Sequence, residues 1–280
     1  MKTPYWLSSF IIIFFQSLNA QNEVKLLVRA DDIGSSHNAN LACIESYKKG
    51  IVKSVEIMVP CPWFPEAVKL LNENPGLDVG IHLVLNSEWD NYKWRPLTYA
   101  PGLTDADGYF YPMVWPNENY PENKTLAHSN WNIAEVEKEL RAQIELALSK
   151  IPHISHLSNH MGWTSLSPQL KNLQEKLAKE YNLEVDLSSL KSAGNYFKND
   201  PELTSVQSFI LMLEKLEPGA YMYVEHPGLN TPEAQAIFHT GYEDVAEQRQ
   251  TVTDIFTHPD VKKAIVQKNI QLISYKDLKN

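Results

Sequence analysis

Two neighbouring carboxylates, Asp31 and Asp32, follow the apolar run VKLLVRA at residues 24–30. Other acids and histidines lie in or directly after later apolar runs: His82 in GIHL, His156 and His160 in SHLSNHMGW, and Glu225 and His226 in VEHPG. Carboxylates and imidazoles are common ligands of divalent metals and common proton carriers. Each residue alone has a plain structural explanation, as a helix cap or a hydrogen-bonded core histidine. Their shared placement at the ends of apolar runs favours one common site.

Short apolar runs alternate with longer amphipathic segments from residue 24 onward. The predicted strands are 24–30, 54–60, 77–85, 154–158, 183–188, 220–226 and 270–275. The predicted helices are 38–49, 65–73, 133–150, 167–181, 204–216 and 242–268, the last interrupted at His258-Pro259. Repeated strand and helix units predict a largely parallel sheet with both faces covered. We therefore expect an α/β fold, a divergent, TIM-barrel-like (β/α) barrel of about seven parallel strands, with an open doubly wound sheet as the alternative.

The acids and histidines fall where parallel α/β proteins bind their ligands, at the carboxyl ends of the strands. One carboxylate with two imidazoles forms a three-ligand set that leaves positions open for water, as in hydrolytic metal sites. Consecutive side chains at a strand end point in different directions, so Asp31 and Asp32 can take different roles. These residues predict a hydrolytic metal site.

The composition limits the possible partners and the domain organisation. The 280 residues are 43% hydrophobic and carry a formal net charge of −9 without a basic cluster, which argues against a nucleic-acid partner.

Residues 1–20 join Lys2 to an apolar run, the pattern of a signal peptide, so we expect a periplasmic or secreted protein without further membrane spans. An uncleaved N-terminal anchor is the alternative. Residues 21–280 predict a single domain, in which Cys43 and Cys61 are expected to be buried free thiols, although export permits a bond between them.

Residues 86–131 interrupt the alternation with a long segment that has no clear period. The segment is rich in aromatic residues: Trp89, Tyr92, Trp94, Tyr99, Tyr109, Phe110, Tyr111, Trp115, Tyr120 and Trp131. A loop of this length in a compact domain is usually functional. Aromatic faces near a cleft stack on sugar rings, which makes Trp89 and Trp94 candidate substrate-binding residues. A satellite core beneath the loop is the alternative, with at least equal weight for any single residue.

The strings ADDIG, GIHL, SHLSNHMG and EHPG occur in an order that resembles the YdjC-like (ChbG/HpnK) carbohydrate deacetylases. The resemblance extends through GIVKSVEIMVPCPWFPEAVKLL to QLISYKDL near the C-terminus. It implies a divergent β/α barrel that uses a divalent metal to remove acetyl groups from N-acetylated amino sugars or oligosaccharides of the chito-oligosaccharide type. Zn²⁺ and Mg²⁺ are the first expectations for that metal, with Mn²⁺, Co²⁺ and Ni²⁺ as alternatives.

Carried over onto this sequence, the resemblance implies that Asp32, His82 and His160 bind the metal. It also implies that Asp31 is the general base that accepts a proton from water, and that His226 is the general acid that protonates the leaving amine. Members of the family often carry Asp at the position of Ser158. We therefore expect a supporting carboxylate beside the ligands to be missing here.

Two further residues are substrate-binding candidates of lower weight. Trp163 follows the histidine motif and is a candidate wall of the sugar site, with a core role as the alternative. Arg29 lies beside the two acids, where it is expected to hold the base in an ion pair or to serve the structure. Two other functions stay open: another metallohydrolase such as a phosphoesterase, and a non-catalytic glycan-binding protein on the same scaffold. Phosphoryl chemistry recruits Arg or Lys clamps, and the strand ends offer Arg29 and little else.

Overall fold

A computed structural model describes residues 23–194 and 202–279. The predicted signal segment 1–20 lies outside the described residues. Within those two ranges, no helix combines the length and the apolar character that crossing a membrane requires. The described part of the chain contains the whole set of predicted site residues.

In the described ranges, seven strands form one sheet in which every pairing is parallel. They are β1 (Val24–Ile33), β2 (Ser54–Ile57), β3 (Asp78–Leu83), β4 (Ile154–Asn159), β5 (Leu190–Ser192), β6 (Gly219–Glu225) and β7 (Ile270–Ile273). The strand order is β4-β3-β2-β1-β6-β5, and β7 pairs with the first part of β1. Strands β1 to β6 follow the circular order of a β/α barrel, interrupted between β4 and β5 within the described residues, and β7 lies outside this order beside β1. The predicted parallel α/β barrel is confirmed, in the form of a half-barrel.

Helices connect most of the strands, at positions close to those that the periodicity predicts. They are α1 (His37–Lys48), α2 (Phe64–Asn72), α3 (Ile133–Lys150), α4 (Pro168–Glu180), α5 (Ser205–Glu214), the short α6 (Pro232–Gln235), α7 (Val245–Thr257) and α8 (Pro259–Gln267). The predicted break at His258-Pro259 separates α7 from α8. Proline has no amide hydrogen to continue the first helix and suits the first position of the second.

One predicted strand is wrong. Residues 183–188 alternate apolar and polar side chains, yet they form no strand, and β5 begins only at Leu190. The Asp186 carboxylate accepts a hydrogen bond from the Ser188 amide at 2.9 Å, which closes a local turn where a strand needs an extended backbone. Pairing with β6 therefore starts after the turn, where Leu190 lies opposite Ala220.

The core explains the apolar strands and much of the aromatic segment. Every residue of β2 and β3 is buried, as expected for a sheet covered on both faces. Within 86–131, Trp89, Trp94 and Phe110 belong to the main hydrophobic core, whereas Tyr99 is 83% exposed. The most buried aromatic rings of this segment are therefore core residues, as in the alternative to sugar binding given above. The cysteines at positions 43 and 61 are buried and free, as predicted.

Candidate metal centre

The two acids lie in a bulge near the carboxyl end of β1. Between Ala30 and Ile33, β1 advances three residues while its partner β2 advances two. Asp32 adopts φ = 72°, in the left-handed region that residues other than glycine seldom enter. The bulge turns both carboxylates toward one imidazole: His82 Nε2 lies 3.7 Å from Asp31 Oδ2 and 3.8 Å from Asp32 Oδ1. Simple alternation along a strand would have sent consecutive side chains to opposite faces.

Neither aspartate is used as a helix cap. The hydroxyl of Ser36 caps α1 by accepting a hydrogen bond from the Ala39 amide. Both carboxylates are therefore available to the site.

The structure brings together the three residues that the resemblance implies as metal ligands. Asp32, His82 and His160 are buried, and one ligand atom from each lies within 4.8 Å of the others. His160 Nδ1 lies 3.4 Å from Asp32 Oδ1. That oxygen is buried and accepts no hydrogen bond beyond these ion-pair contacts with His82 and His160, so it keeps lone pairs that can bind a cation. The residues present therefore fit a divalent metal, and two imidazoles with one carboxylate suit Zn²⁺ better than Mg²⁺, which prefers oxygen ligands.

His82 and His160 each use the ring nitrogen that faces away from Asp32 for a hydrogen bond inside the protein. His82 Nδ1 lies 2.7 Å from the Ser158 hydroxyl, and that hydroxyl donates to the carboxylate of Glu56 on β2. His160 Nε2 lies 3.0 Å from Glu88 Oε2. The expectation that a supporting carboxylate is missing is wrong, because a glutamate from a neighbouring strand supplies it through the serine.

The charges of the site favour the forms of Asp32 and His82 that bind metals. Burial raises the pKa of Asp32, but the positive charges of His226 and Arg249 outweigh it and hold that pKa well below its usual value. Burial lowers the pKa of His82 to about 4, so its imidazole is neutral at pH 7. His160 differs: burial lowers its pKa, but Glu88 and Asp32 raise it to about 10. Metal binding at this residue must therefore release a proton.

Arg29 holds the carboxylate of Asp31 from the side. Its Nε and Nη2 donate to the two oxygens of Asp31 at 2.7 and 2.6 Å, a bidentate ion pair. Its Nη1 donates to the Tyr275 hydroxyl at 3.1 Å. The ion-pair expectation agrees with this geometry, and a contact of Arg29 with substrate stays a prediction.

His226 follows the end of β6, with its side chain 40% exposed. Its Nδ1 lies 3.9 Å from Glu225 Oε2. Partial burial lowers the pKa of His226, but the negative charge of Asp32 and the nearby carboxylate of Glu225 raise it above its usual value. The ring therefore carries a proton over a wider pH range than a free imidazole, and its role as general acid stays a prediction.

The three tryptophans chosen as substrate-binding candidates are core residues in this structure. Trp163 is 0% exposed and donates its indole N–H to the Leu83 carbonyl at 2.9 Å. Trp94 is 2% exposed and donates to the Asn86 carbonyl at 2.8 Å. Trp89, at 4%, lies beneath the guanidinium of Arg249, whose Cζ is 5.3 Å from a ring centroid. Stacking of these rings on a sugar would need a rearrangement of the site.

Sequence reasoning missed three charged residues of the site: Glu56, Glu88 and Arg249. Glu56 carried a signal, because it is the one charged residue in the apolar run SVEIMVP. Arg249 carried none: it lies on α7, 217 positions from Asp32, and donates to Asp32 Oδ2 at 2.8 Å. Its position depends on the packing of α7 against α1.

The fold and the cluster define a class: a parallel β/α half-barrel with an aspartate and two histidines gathered at its strand ends. The profile of the family described as YdjC-like protein matches residues 25–267, and the chain belongs to this family. Carbohydrate deacetylase 1 of Listeria innocua serovar 6a is 31% identical over 263 residues, covering 91% of this chain and all of the relative. The carbohydrate deacetylase of Thermus thermophilus is 31% identical over 268 residues, covering 86% of this chain and 89% of the relative.

A solved structure from Enterococcus faecalis V583, described as a candidate for cellobiose-phosphate cleavage, shares the fold. It superimposes with a TM-score of 0.71 at 22% identity, covering 92% of this chain and 100% of that chain. The family resemblance of the sequence motifs is thus confirmed.

Proposed function

We propose that this protein is a metal-dependent carbohydrate deacetylase that hydrolyses the acetamide of N-acetylated amino sugars or oligosaccharides of the chito-oligosaccharide type. One observation carries the proposal: a buried Asp32, His82 and His160 cluster with an unpartnered carboxylate oxygen, directly beside the second acid Asp31. The names of the relatives at about 31% identity support the carbohydrate substrate class.

Asp32, His82 and His160 would hold the metal, which when bound supplies a Lewis acid that polarises the acetyl carbonyl and acidifies a water molecule. Asp31 accepts the proton of the attacking water on its carboxylate. Arg29 occupies one lone pair on each oxygen of that carboxylate, so each oxygen keeps another for the water proton. The ion pair thereby fixes the direction from which the proton arrives.

His226 donates the second proton of the reaction, which the leaving amine accepts. An amine is a poor leaving group until it is protonated, so collapse of the tetrahedral adduct needs an acid on the nitrogen side. The raised pKa of His226 keeps that proton available near neutral pH. The partly exposed side chain suits a group that must recover its proton from solvent after each turnover.

Acetate release tests the proposal. Protein stripped with chelator is reloaded with Zn²⁺, Mg²⁺, Mn²⁺, Co²⁺ or Ni²⁺ and assayed on N-acetylglucosamine and short chitin oligomers. We expect metal-dependent acetate that falls about 10²- to 10⁴-fold in Asp31→Asn, the usual contribution of a general base. Asp186→Asn, which changes an aspartate in the turn before β5, is the matched control and should keep its activity.

Two results would reject the proposal. Acetate release that persists after chelation, or full activity in Asp31→Asn, would contradict the assigned chemistry. Metal binding without acetate release from any substrate, together with glycan capture on an array, would favour the glycan-binding alternative. Phosphate release from phosphorylated sugars would favour the phosphoesterase alternative.

Export through residues 1–20 stays a prediction, which N-terminal sequencing of protein from the native host tests.

A further inference from the structure

A continuous line of hydrogen bonds connects His82 to Glu56, which is 0% exposed. Serine has one hydroxyl proton, and Ser158 gives it to Glu56. Its oxygen is then an acceptor, so His82 must donate from Nδ1 across the 2.7 Å contact. This fixes the tautomer of His82 and leaves the lone pair of Nε2 pointing toward Asp32 and Asp31.

The strand register explains how a glutamate on β2 reaches a serine on β4. Glu56 and His156 lie on opposite sides of Gly80 in the paired strands, forming one row across β2, β3 and β4. His82 and Ser158 form the row two residues further along, on the same face. Two strand spacings separate β2 from β4 by about 9.6 Å. The Glu56 side chain therefore has to cross over the backbone of β3.

Gly80 makes this crossing possible. A Cβ at position 80 would collide with both Glu56 Oε2 and His156 Nε2. With no side chain there, the carboxylate of Glu56 bonds to His156 Nε2 at 2.6 Å and also reaches Ser158. Arg29 Nε lies 3.9 Å from the same carboxylate. Contacts with His156, Ser158 and Arg29 thus hold the Glu56 carboxylate above Gly80, where any other residue would place a Cβ in its way.

We propose that Glu56 and Ser158 together form a positioning relay for His82: the buried carboxylate on β2 acts through the serine hydroxyl on β4 to hold the imidazole in its metal-binding tautomer and orientation. The inference rests on the metal site in the proposed function. Carboxylates that accept from the far nitrogen of a ligand histidine raise its basicity and fix its ring. Here the Glu56 carboxylate is spent on His156 and Ser158 rather than on His82 itself, and the serine hydroxyl connects the carboxylate to the imidazole.

The alternative is a purely structural role, in which Glu56 only neutralises Arg29 and His156. The two roles differ in what an aspartate at position 158 would do. Ser158→Asp alone sets a second carboxylate against Glu56 in a buried space, where like charges repel. In the Glu56→Gln background, the same substitution supplies one carboxylate directly to His82. The relay therefore predicts that Ser158→Asp weakens Zn²⁺ binding when Glu56 is present and restores Zn²⁺ binding in the Glu56→Gln variant.

The test measures Zn²⁺ affinity by competition with a chromogenic chelator, with melting curves for every variant. We expect Glu56→Gln and Ser158→Ala each to weaken Zn²⁺ binding about 10- to 100-fold. Ser158→Asp should restore affinity in Glu56→Gln to within a few-fold of the wild type. Glu139→Gln is the matched control: Glu139 is also 0% exposed but accepts hydrogen bonds from the 97–98 backbone, so its loss should leave Zn²⁺ affinity unchanged.

If Glu56→Gln does not fold, Ser158→Ala still decides the question, because it removes the bridge and keeps the Glu56 contacts with Arg29 and His156. Unchanged affinity in Ser158→Ala, failure of Ser158→Asp to rescue Glu56→Gln, or no Zn²⁺ binding by the wild type would each overturn the relay. The proposed reaction is judged separately. If the variants show the expected changes in Zn²⁺ affinity but the protein releases no acetate, deacetylation is rejected and the relay stands. If the protein releases acetate but all variants bind Zn²⁺ equally, the relay is rejected and deacetylation stands.

Discussion

Metal binding should stabilise a fold that already exists without the metal. Each of the three candidate ligands has another partner: Arg249 for Asp32, Ser158 for His82 and Glu88 for His160. Among the ligand nitrogens and oxygens, Asp32 Oδ1 is the buried atom without one. We therefore expect chelated protein to remain folded, unlike small zinc domains that unfold without their ion.

The size of the stabilisation follows from linkage. Free Zn²⁺ at 100 times the dissociation constant adds about 2.7 kcal/mol to the free energy of unfolding. For domains of roughly 150–250 residues, each kcal/mol moves the melting temperature by about 2–4 °C. Differential scanning calorimetry of stripped protein, titrated with Zn²⁺, should therefore show an increase of about 5–11 °C that grows with the logarithm of the free ion concentration.

Two variants separate the site from non-specific binding. His82→Ala removes one of three ligands and should abolish most of the increase. His128→Ala removes a histidine whose side chain is 43% exposed and which lies outside the cluster, so it should keep the full increase. Equal shifts in the wild type and His82→Ala would refute the assignment of the ligands.

Four further outcomes are expected. Because the pKa of His160 is about 10 without metal, apparent Zn²⁺ affinity should rise about tenfold per pH unit near neutrality, which titrations at pH 6 to 8 measure. Deacetylation should fall as pH rises through the raised pKa of His226, which must be protonated to act, and His226→Gln should lose about 10²- to 10⁴-fold in kcat together with this alkaline limb. Burial raises the pKa of Glu56, but His156, Arg29 and His82 outweigh it and lower that pKa below its usual value, so the ionised form contributes stability above pH 4.5. The wild-type advantage over Glu56→Gln should therefore shrink as the pH falls below 4.5 toward the lowered pKa, in denaturation curves at each pH. Trp163→Phe should lose about 1–3 kcal/mol in urea denaturation, since it leaves the Leu83 carbonyl without its donor, and an unchanged midpoint would contradict this.

The elements and the strand ends could be predicted from the sequence because their signals are local. Apolar periodicity gave α3 at Ile133–Lys150 with the bounds that the structure has, and it separated α7 from α8 at a proline. The placement of the acids and histidines at strand ends followed from the same pattern. Where a local turn competed with the pattern, as at Asp186, the prediction failed.

The residues that could bind a metal were thus determined by the sequence, whereas their support was decided by the tertiary structure. The relation of Glu56 to Ser158 depends on the register of three strands and on the space above Gly80. The contact of Arg249 with Asp32 spans 217 positions. Such contacts arise when the sheet curves into a half-barrel and brings distant side chains to one edge. Side-chain periodicity repeats every two to four residues, so it cannot predict contacts between residues far apart in the sequence.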